Sequence, residues 1–536
     1  MNSWIENAQF YHIYPLGFCG APYKNDGETV CRLNKLIEWI PHLKELNINA
    51  LYLGPIFDSS YHGYDTKDYF KIDCRLGTNE SFKQVCDKLH ENGIKIVLDG
   101  VFNHVGREFW AFKDVLQNGQ YSEYCSWFKN LSFSHTSPKG DPFSYEGWNG
   151  FYDLVKLNLQ NEEVVNHLFD AISIWIDEFN IDGIRLDAAD CLDFDFFPKL
   201  RQLCDSKKKD FWLMGEIIHG DYNRWANPEM LDSVTNYQTY KGIWSSHNNK
   251  NYFEVAHALN RQAGSDGMYK NIYMYNFLDN HDVDRIIDIL KDKSHINNVY
   301  TVLYTMPGMP SIYYGSEFGV HGIRSNRSDH ELRPCLELND ISERNDNIFE
   351  HLKKLSEIRK NCDALKNGSF ENIVIKNEQL VYKRQNNNET VYIALNLSHD
   401  EADVDFHIDV NEPLFDVLNN NQRFDIWNNH LHLFIAPCSA RILTQLVQNN
   451  LDDTQQQNEP ETEIPTEPQE LHLGRYRHFK GGEYEIIGFA MHSETGENMV
   501  IYRDVNSGAL WVRPYFMFAG TVTRDGKTFY RFEPII

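Results

Sequence analysis

No apolar run in this 536-residue sequence approaches the roughly 20 residues that a bilayer-spanning helix requires. A membrane partner is therefore not expected. Cysteine is sparse, 10 residues scattered without a CxxC pair or a Cys/His cluster, which argues against a disulfide-built scaffold and a zinc ribbon. Positive charge is short as well. Fifty-one Lys and Arg face 77 Asp and Glu, for a net charge of -26, a field that repels phosphate backbones and excludes nucleic acid as a natural partner. The opening Met-Asn-Ser-Trp-Ile-Glu-Asn-Ala-Gln-Phe lacks the basic patch and apolar core of a signal peptide. A cytoplasmic protein with reduced thiols is the expectation. There is no Gly-rich phosphate fingerprint after the first predicted strand and no repeat at solenoid periods.

What the chain does have is three acids, each closing an apolar run: Gly183-Ile-Arg-Leu-Asp187, Trp212-Leu-Met-Gly-Glu216 and Phe277-Leu-Asp-Asn-His-Asp282. An acid at the end of such a run marks a strand that finishes at an open, wet face. Three in order suggest carboxylates meeting in one cleft, which is the equipment for acid-assisted cleavage of a glycosidic bond. Taken singly, each has a bland reading. Asp99, Asp182 and Asp279 could be turn or cap residues, Arg185 and Asp187 a structural ion pair, and Tyr64 a packing residue.

Short apolar segments at Asn49–Leu53, Ile94–Asp99, Gly183–Asp187, Phe211–Glu216, Ile272–Leu278 and Ser311–Tyr314 read as buried strands. Amphipathic helices alternate with them. Leu33, Leu36, Ile37, Ile40 and Leu43 share one helical face; so do Phe82, Val85, Cys86 and Leu89, with Gly93 placed to end the helix. Val165, Leu168, Ile172, Ile176 and Phe179 make a third stripe. Repeated strand–helix units imply a parallel sheet, and their number suits a (β/α)₈ TIM barrel with its site at the C-terminal strand ends. A doubly wound open sheet is the competing topology.

The predicted organisation is a barrel over 1–104 and 158–365, with an aromatic, irregular subdomain inserted at 105–157 between strand 3 and helix 3. An antiparallel β-sandwich follows at 366–447, then a disordered acidic linker at 448–470 and a small β domain at 471–536.

Four segments, Asp99-Gly-Val-Phe-Asn-His104, Gly183–Asp187, Gly215-Glu216 and Phe277–Asp282, together resemble the four signature regions of the α-amylase family of glycoside hydrolases. Phe10-Tyr-His-Ile-Tyr-Pro15 and His62-Gly-Tyr-Asp-Thr-Lys-Asp-Tyr69 are similar to that family too, and the likeness spans roughly residues 5–445. It implies that Asp187 is a nucleophile forming a covalent glycosyl-enzyme, Glu216 the general acid/base and Asp282 a third carboxylate stabilising the distorted sugar. It implies that His104 and His281 grip hydroxyls of the cleaved sugar and that Tyr64 stacks on its ring. Arg185, two residues before Asp187 on one strand face, can hold that acid charged. Arg333 either touches the next sugar or forms a surface salt bridge. The outcome would be retention of configuration, with working carboxyls about 5–5.5 Å apart.

Lys156-Leu157-Asn158 resembles the ending found in neopullulanases, cyclomaltodextrinases and maltogenic amylases. Those enzymes usually carry an extra N-terminal β domain, whereas strand patterning here starts almost at once. The Ala-Ala-Asp-Cys after Asp187 departs from the Lys-His pair of many α-amylases, which puts starch-type endo-action and the usual calcium site in question. No cofactor is required on this reading, and Asn103 is the one candidate calcium ligand. The expected substrate is an α-1,4-glucan, maltooligosaccharide or cyclodextrin, and the protein a monomer or homodimer. An α-glucosidase or transglycosidase of the same family is the alternative, followed by a non-catalytic binding barrel. At the C-terminus, Tyr476-Arg-His-Phe-Lys-Gly481, His492-Ser-Glu-Thr495 and Leu510-Trp-Val-Arg-Pro514 resemble a small bacterial domain of unknown function. There Tyr476, Trp511 and Arg513 form either a ligand surface or a core and rim.

Overall fold

The computed structural model describes residues 4–325, 328–341, 344–410, 412–445, 471–479, 481–491, 498–505, 507–524 and 527–535. The proposed linker at 448–470 and the His492–Thr495 motif lie outside them. The chain divides into two compact units, Met1–Asn449 and Asn450–Ile536.

Eight parallel strands form the centre of the first unit: β1 (Phe10–Ile13), β2 (Ala50–Leu53), β3 (Lys95–Gly100), β4 (Gly183–Leu186), β5 (Trp212–Gly215), β6 (Ser233–Val234), β7 (Tyr275–Asn276) and β8 (Met309–Tyr313). Each pairs with its neighbour in chain order, and β8 pairs with β1. The remaining seam closes where Thr235 bridges Tyr275 in parallel and the Asn236 N–H donates to the Tyr275 carbonyl at 2.9 Å. This is the expected (β/α)₈ barrel, not the open sheet.

Alternation along the strands produces two cores. Phe10, Ala50, Tyr52, Val97, Trp212, Met214, Tyr275 and Met309 fill the barrel interior. Tyr11, Leu51, Leu53, Ile96, Leu98, Ile184, Leu186 and Leu213 point outward into the layer beneath the helices. Those helices are α1 (Lys35–Glu45), α2 (Asn79–Glu91), α3 (Glu162–Phe179), α4 (Phe196–Lys207), α5 (Tyr237–Asn249), α6 (Phe253–Ala263), α7 (Ile296–Thr305) and α8 (Asp346–Asn361).

Their limits follow from local chemistry. Thr78 and Ser81 cap α2 reciprocally, and Gly93, at φ 74°, turns the chain away after it. Asn161 caps α3 and Asn180 ends it in the left-handed region. The predicted stripe of Val165, Leu168, Ile172, Ile176 and Phe179 is buried.

Strand–helix alternation is imperfect. Between β5 and β6 there is only a single 3₁₀ turn, Tyr222–Arg224, whereas two helices, α5 and α6, follow β6. The predicted Ile272–Leu278 strand contracts to Tyr275–Asn276, and β1 and β6 are strands that apolar patterning alone did not mark.

Two segments build up the C-terminal face. After β2 comes a hairpin of Phe57–Ser59 and Thr66–Ile72, with Tyr64 in its connection. After β3 comes the aromatic segment, with a three-stranded sheet (His104–Gly106, Gly147–Trp148, Phe151–Lys156) and a helix, Trp110–Asn118. Phe109, Phe112, Trp127, Phe128, Phe143 and Tyr145 are buried there.

Beyond α8, six antiparallel strands face a two-stranded sheet of Ala402–His407 and His430–Ile435. Val381, Tyr392, Ala394, Val404, Phe406, Leu431 and Leu433 fill the space between them. Leu380, Tyr382, Ile393, Leu395 and Ile442, on the other face of the larger sheet, join the core beneath the barrel helices. The second unit has a five-stranded antiparallel sheet around Tyr476, Ile486, Val500, Tyr502, Phe518 and Phe532. Tyr476 thus belongs to the core, while Trp511 stands 55% exposed on the edge strand Leu510–Pro514.

Candidate active site

Asp99, Asp187, Glu216 and Asp282 lie at one end of the barrel, and one guanidinium joins the first three. Arg185 faces inward from β4. Its Nη1 donates to Asp99 Oδ1 at 2.8 Å and to Asp187 Oδ1 at 2.9 Å, and its Nη2 meets Glu216 Oε2 at 2.8 Å. Asp99 is the direct cross-strand partner of Arg185 in the β3–β4 ladder. Asp187 follows two residues after Arg185 on the same face.

Glu216 is placed by backbone at close quarters. Ala188, in the left-handed region at φ 43°, aims its N–H at Glu216 Oε2, 3.2 Å away. The Ala189 N–H donates to the Glu216 carbonyl at 3.1 Å. A side chain just before the acid would be crowded. A Cβ on Gly215 would lie 2.6 Å from Leu231 Cδ1 and 3.0 Å from Ala189 Cβ. The Tyr237 hydroxyl donates to Glu216 Oε1 at 3.3 Å and itself accepts from Asn280 Nδ2.

The opposite wall comes from β7, β8 and the hairpin after β2. Asp282 pairs with Arg333 Nη2 and with His281 Nε2, both at 3.1 Å. Arg333 also donates from Nε to the His281 carbonyl and lies over the Tyr14 ring. The Tyr64 hydroxyl donates to Asp99 Oδ2 at 3.1 Å and meets His281 Nε2, and its ring stacks at 10° to that imidazole. His104, at the end of the β3 segment, takes the Asn103 side-chain amide on Nδ1 at 3.1 Å. His104 and His281 are both buried, at 1% and 2% exposure.

Three carboxylates around one cation leave excess negative charge in a nearly closed space. Burial pushes Asp187 well above the ordinary carboxylate range. Arg185 opposes this, and the charges of Glu216, Asp99 and Asp282 reinforce it. The expectation that Arg185 holds Asp187 charged is met in contact but outweighed in sum. The cluster as a whole keeps a proton that an isolated carboxylate would lose. Asp282 goes the other way. Burial opposes its ionisation, but His281 and Arg333 overcome that and hold it far below the usual range. Burial depresses His104 to about 3, leaving a neutral imidazole. The side chains of Asp187 and Glu216 remain 11% and 12% exposed, so both stay open to the cleft.

Every catalytic and sugar-contact candidate from the sequence therefore falls in one constellation. Four contributors were not singled out as site residues: Asp99, Tyr52 (whose hydroxyl donates to Asp99 Oδ2 at 3.0 Å), Tyr14 and Tyr237. Of the acids given a turn-or-cap reading, Asp279 accepts from the Ile286 N–H and Ser316 Oγ. Asp182 sits at the far end of the barrel with His90, Lys95 and Lys208.

The Asn103 side-chain amide nitrogen is turned to His104, the Asn103 carbonyl accepts the Leu157 N–H, and among the described residues no three His, Cys, Asp or Glu gather to hold a metal. The cation nearby is the Lys156 ammonium, paired with Glu146 at 3.0 Å.

The sequence model of a family described as alpha amylase, catalytic domain, matches residues 12–337, and that of a domain of unknown function, DUF1653, matches residues 474–534. A cyclomaltodextrinase of Geobacillus thermopakistaniensis is 32% identical over 445 residues, covering 78% of this chain and 74% of that protein. An intracellular maltogenic amylase of Bacillus subtilis is 30% identical over 462 residues, covering 81% and 75%. Among solved structures, the cyclic alpha-maltosyl-(1→6)-maltose hydrolase of Arthrobacter globiformis superposes with a TM-score of 0.70 at 26% identity. That match covers 82% of this chain and 99% of its own.

Proposed function

Because the chain belongs to the alpha-amylase family and is an α-glucan-hydrolysing glycosidase, we propose that it cleaves α-1,4 bonds of maltooligosaccharides and cyclodextrins with retention of configuration. The observation that supports this most directly is the sharing of one guanidinium by Asp187 and Glu216. It draws the two carboxyls together on adjacent strands, as a double displacement requires.

In the first step Asp187 attacks the anomeric carbon. A C1–O bond to its carboxylate forms, and the glycosidic C1–O bond breaks. Glu216 gives its proton to the departing oxygen. Arg185 supports the charge on Asp187 as the attack begins. In the second step Glu216, now a carboxylate, takes a proton from water, whose oxygen displaces Asp187. Asp282, kept ionised by His281 and Arg333, places negative charge beside the sugar as positive charge builds on it. Tyr64 offers its ring to the sugar. His104, neutral, stands beside the sugar without adding a repelling cation.

Replacing Glu216 by Gln should lower kcat/KM on maltoheptaose by about 10²–10⁴-fold. A loss under about tenfold would contradict the assignment. A second reading, action on glucans that carry α-1,6 linkages, draws support from the likeness to the Arthrobacter hydrolase, whose named substrate contains them. Product analysis on linear, cyclic and branched glucans separates the two. A cytoplasmic location is our reading as well. It is supported by the intracellular relative and by the finding that no helix among the described residues is long and apolar enough to cross a membrane. Fractionation of the native host tests it.

A further inference from the structure

A thiol, an imidazole and a carboxylate meet where the sandwich joins the barrel, with no part in the chemistry above. Cys438 stands in the turn between the strands His430–Ile435 and Ser439–Thr444. Its φ is 47°, a left-handed conformation that a residue other than glycine adopts only under constraint. The constraint is visible: the Cys438 N–H donates to the Ser398 carbonyl at 2.9 Å, which locks this turn against the one before Ala402–His407. Cys438 Sγ comes to 3.5 Å from His399 Nδ1. On the other side of the ring, His399 Nε2 lies 2.7 Å from Asp292 Oδ2. Asp292 caps the short turn Lys293–His295 that leads into α7. Three separate segments thus align Cys438, His399 and Asp292 in series.

The order of donors follows from the carboxylate. The Ser294 hydroxyl holds the Asp292 carboxyl low, to about 2, against the opposing effect of burial, and the Ser294 N–H and His399 assist. An ionised carboxylate only accepts, so His399 carries its proton on Nε2. Nδ1 is then the bare acceptor of a neutral ring, and it faces the thiol. The Leu397 and Ser398 carbonyls also lie 3.8 and 3.7 Å from Sγ, but a carbonyl cannot take the proton away. Burial lowers the neighbouring His295, whose Nε2 faces the Leu397 carbonyl at 3.1 Å, so that ring is neutral and engaged elsewhere. No other cysteine is placed this way. Four of the other nine are buried. Cys74, Cys125 and Cys191 are half-buried, and that burial pushes their thiols up. Cys31 and Cys335 are exposed. Cys335 has the Lys35 ammonium at 3.8 Å, but that cation is paired with Glu337 at 2.6 Å.

We infer that Cys438 is a base-assisted nucleophile that takes up one half of a low-molecular-weight disulfide, with His399 as its base and Asp292 holding that base in position. Sγ attacks one sulfur of the disulfide as its proton passes to His399 Nδ1. A bond from Sγ to that sulfur forms and the S–S bond of the small molecule breaks. The departing thiolate recovers the proton from His399. One mixed disulfide and one free thiol result, so the incoming disulfide is the only oxidant required. The His399 side chain is 60% exposed, which leaves the cluster open to a reagent of this size. The inference is independent of the glucan-hydrolase reading.

The test exposes the full-length, reduced protein to glutathione disulfide at neutral pH, quenches with acid at intervals and maps the modified peptides by mass spectrometry. Cys438 should be modified about five- to tenfold faster than the exposed Cys31 and Cys335, which serve as references within the same molecule. His399→Gln should bring Cys438 to within about twofold of those references. Asp292→Asn, which keeps an acceptor for the Ser294 N–H, should give a rate between the two. Circular dichroism checks that each variant is folded. A wild-type Cys438 that reacts no faster than Cys31 and Cys335 would overturn the inference, and so would a folded His399→Gln variant whose Cys438 keeps the wild-type rate. If a variant fails to fold, the ranking of the three thiols in the wild-type protein decides alone.

Discussion

At the scale of single residues, the site turns on Arg185. One guanidinium serves Asp99, Asp187 and Glu216, so its removal exposes each acid to the others. The sign is set by what Asp187 must do. On the proposed mechanism it works as an anion, and its carboxyl is already pushed up by burial and neighbouring charge. Taking away the opposing cation raises it further. Arg185→Met should therefore shift the acid limb of the kcat/KM profile to higher pH, on the order of one unit or more. Asp99→Asn removes a like charge and should move that limb to lower pH. Profiles in which both variants keep the wild-type limb would contradict the shared-cation account. Asp99 also shows where reading by sequence stopped. Its place at the end of an apolar run fitted a turn residue as well as a site residue. Its meaning comes from pairing with Arg185, 86 positions later, which no local pattern reports. Asp187 and Glu216 were legible because each directly follows its own strand, β4 and β5, and Asp282 because it closes the Phe277–Asp282 segment beyond β7.

At the scale of elements, strands with several consecutive buried residues were readable, and the exceptions are short. Ser233–Val234 and Tyr275–Asn276 contribute two residues each, too few for a period to emerge, yet they close the barrel. The missing helix after β5 was also invisible, because a single 3₁₀ turn carries no stripe. Close packing makes strand ends sensitive. Gly215→Ala puts a methyl 2.6 Å from Leu231 Cδ1. It should cost about 1–3 kcal/mol in denaturant unfolding and lower kcat by displacing Glu216. Unchanged values of both would show that the turn after β4 yields more easily than its contacts suggest.

At the opposite end of the barrel, Asp182 accepts from the Ile96 N–H, Lys95 and His90, with Lys208 3.1 Å away. Burial works against its charge, but these partners hold the carboxyl below its ordinary range. A depressed carboxyl stabilises the fold above its unfolded pKa, near 3.9, and that contribution fades as pH falls through the folded value. Asp182→Asn should thus destabilise by about 1.5–3 kcal/mol at neutral pH, with the gap to wild type narrowing in strong acid. A gap that does not depend on pH would rule out the charge as its source.

At the scale of the whole molecule, the barrel separates two tasks. The interior aromatic plug of Phe10, Tyr52, Trp212 and Tyr275 supports the floor, and the loops above it carry the clustered charge. The net charge of -26 suits a neutral substrate. The C-terminal unit has its own small core. What the molecule as a whole must do is bring strands β4, β5 and β7 to one sugar ring. Incubating the protein with 5-fluoro-α-maltosyl fluoride, which lets the covalent intermediate form but slows its release, and mapping the labelled peptide by mass spectrometry tests this directly. The account predicts one maltosyl ester, on Asp187. A label on Glu216 or Asp282, or none while the protein still turns over maltoheptaose, would contradict it.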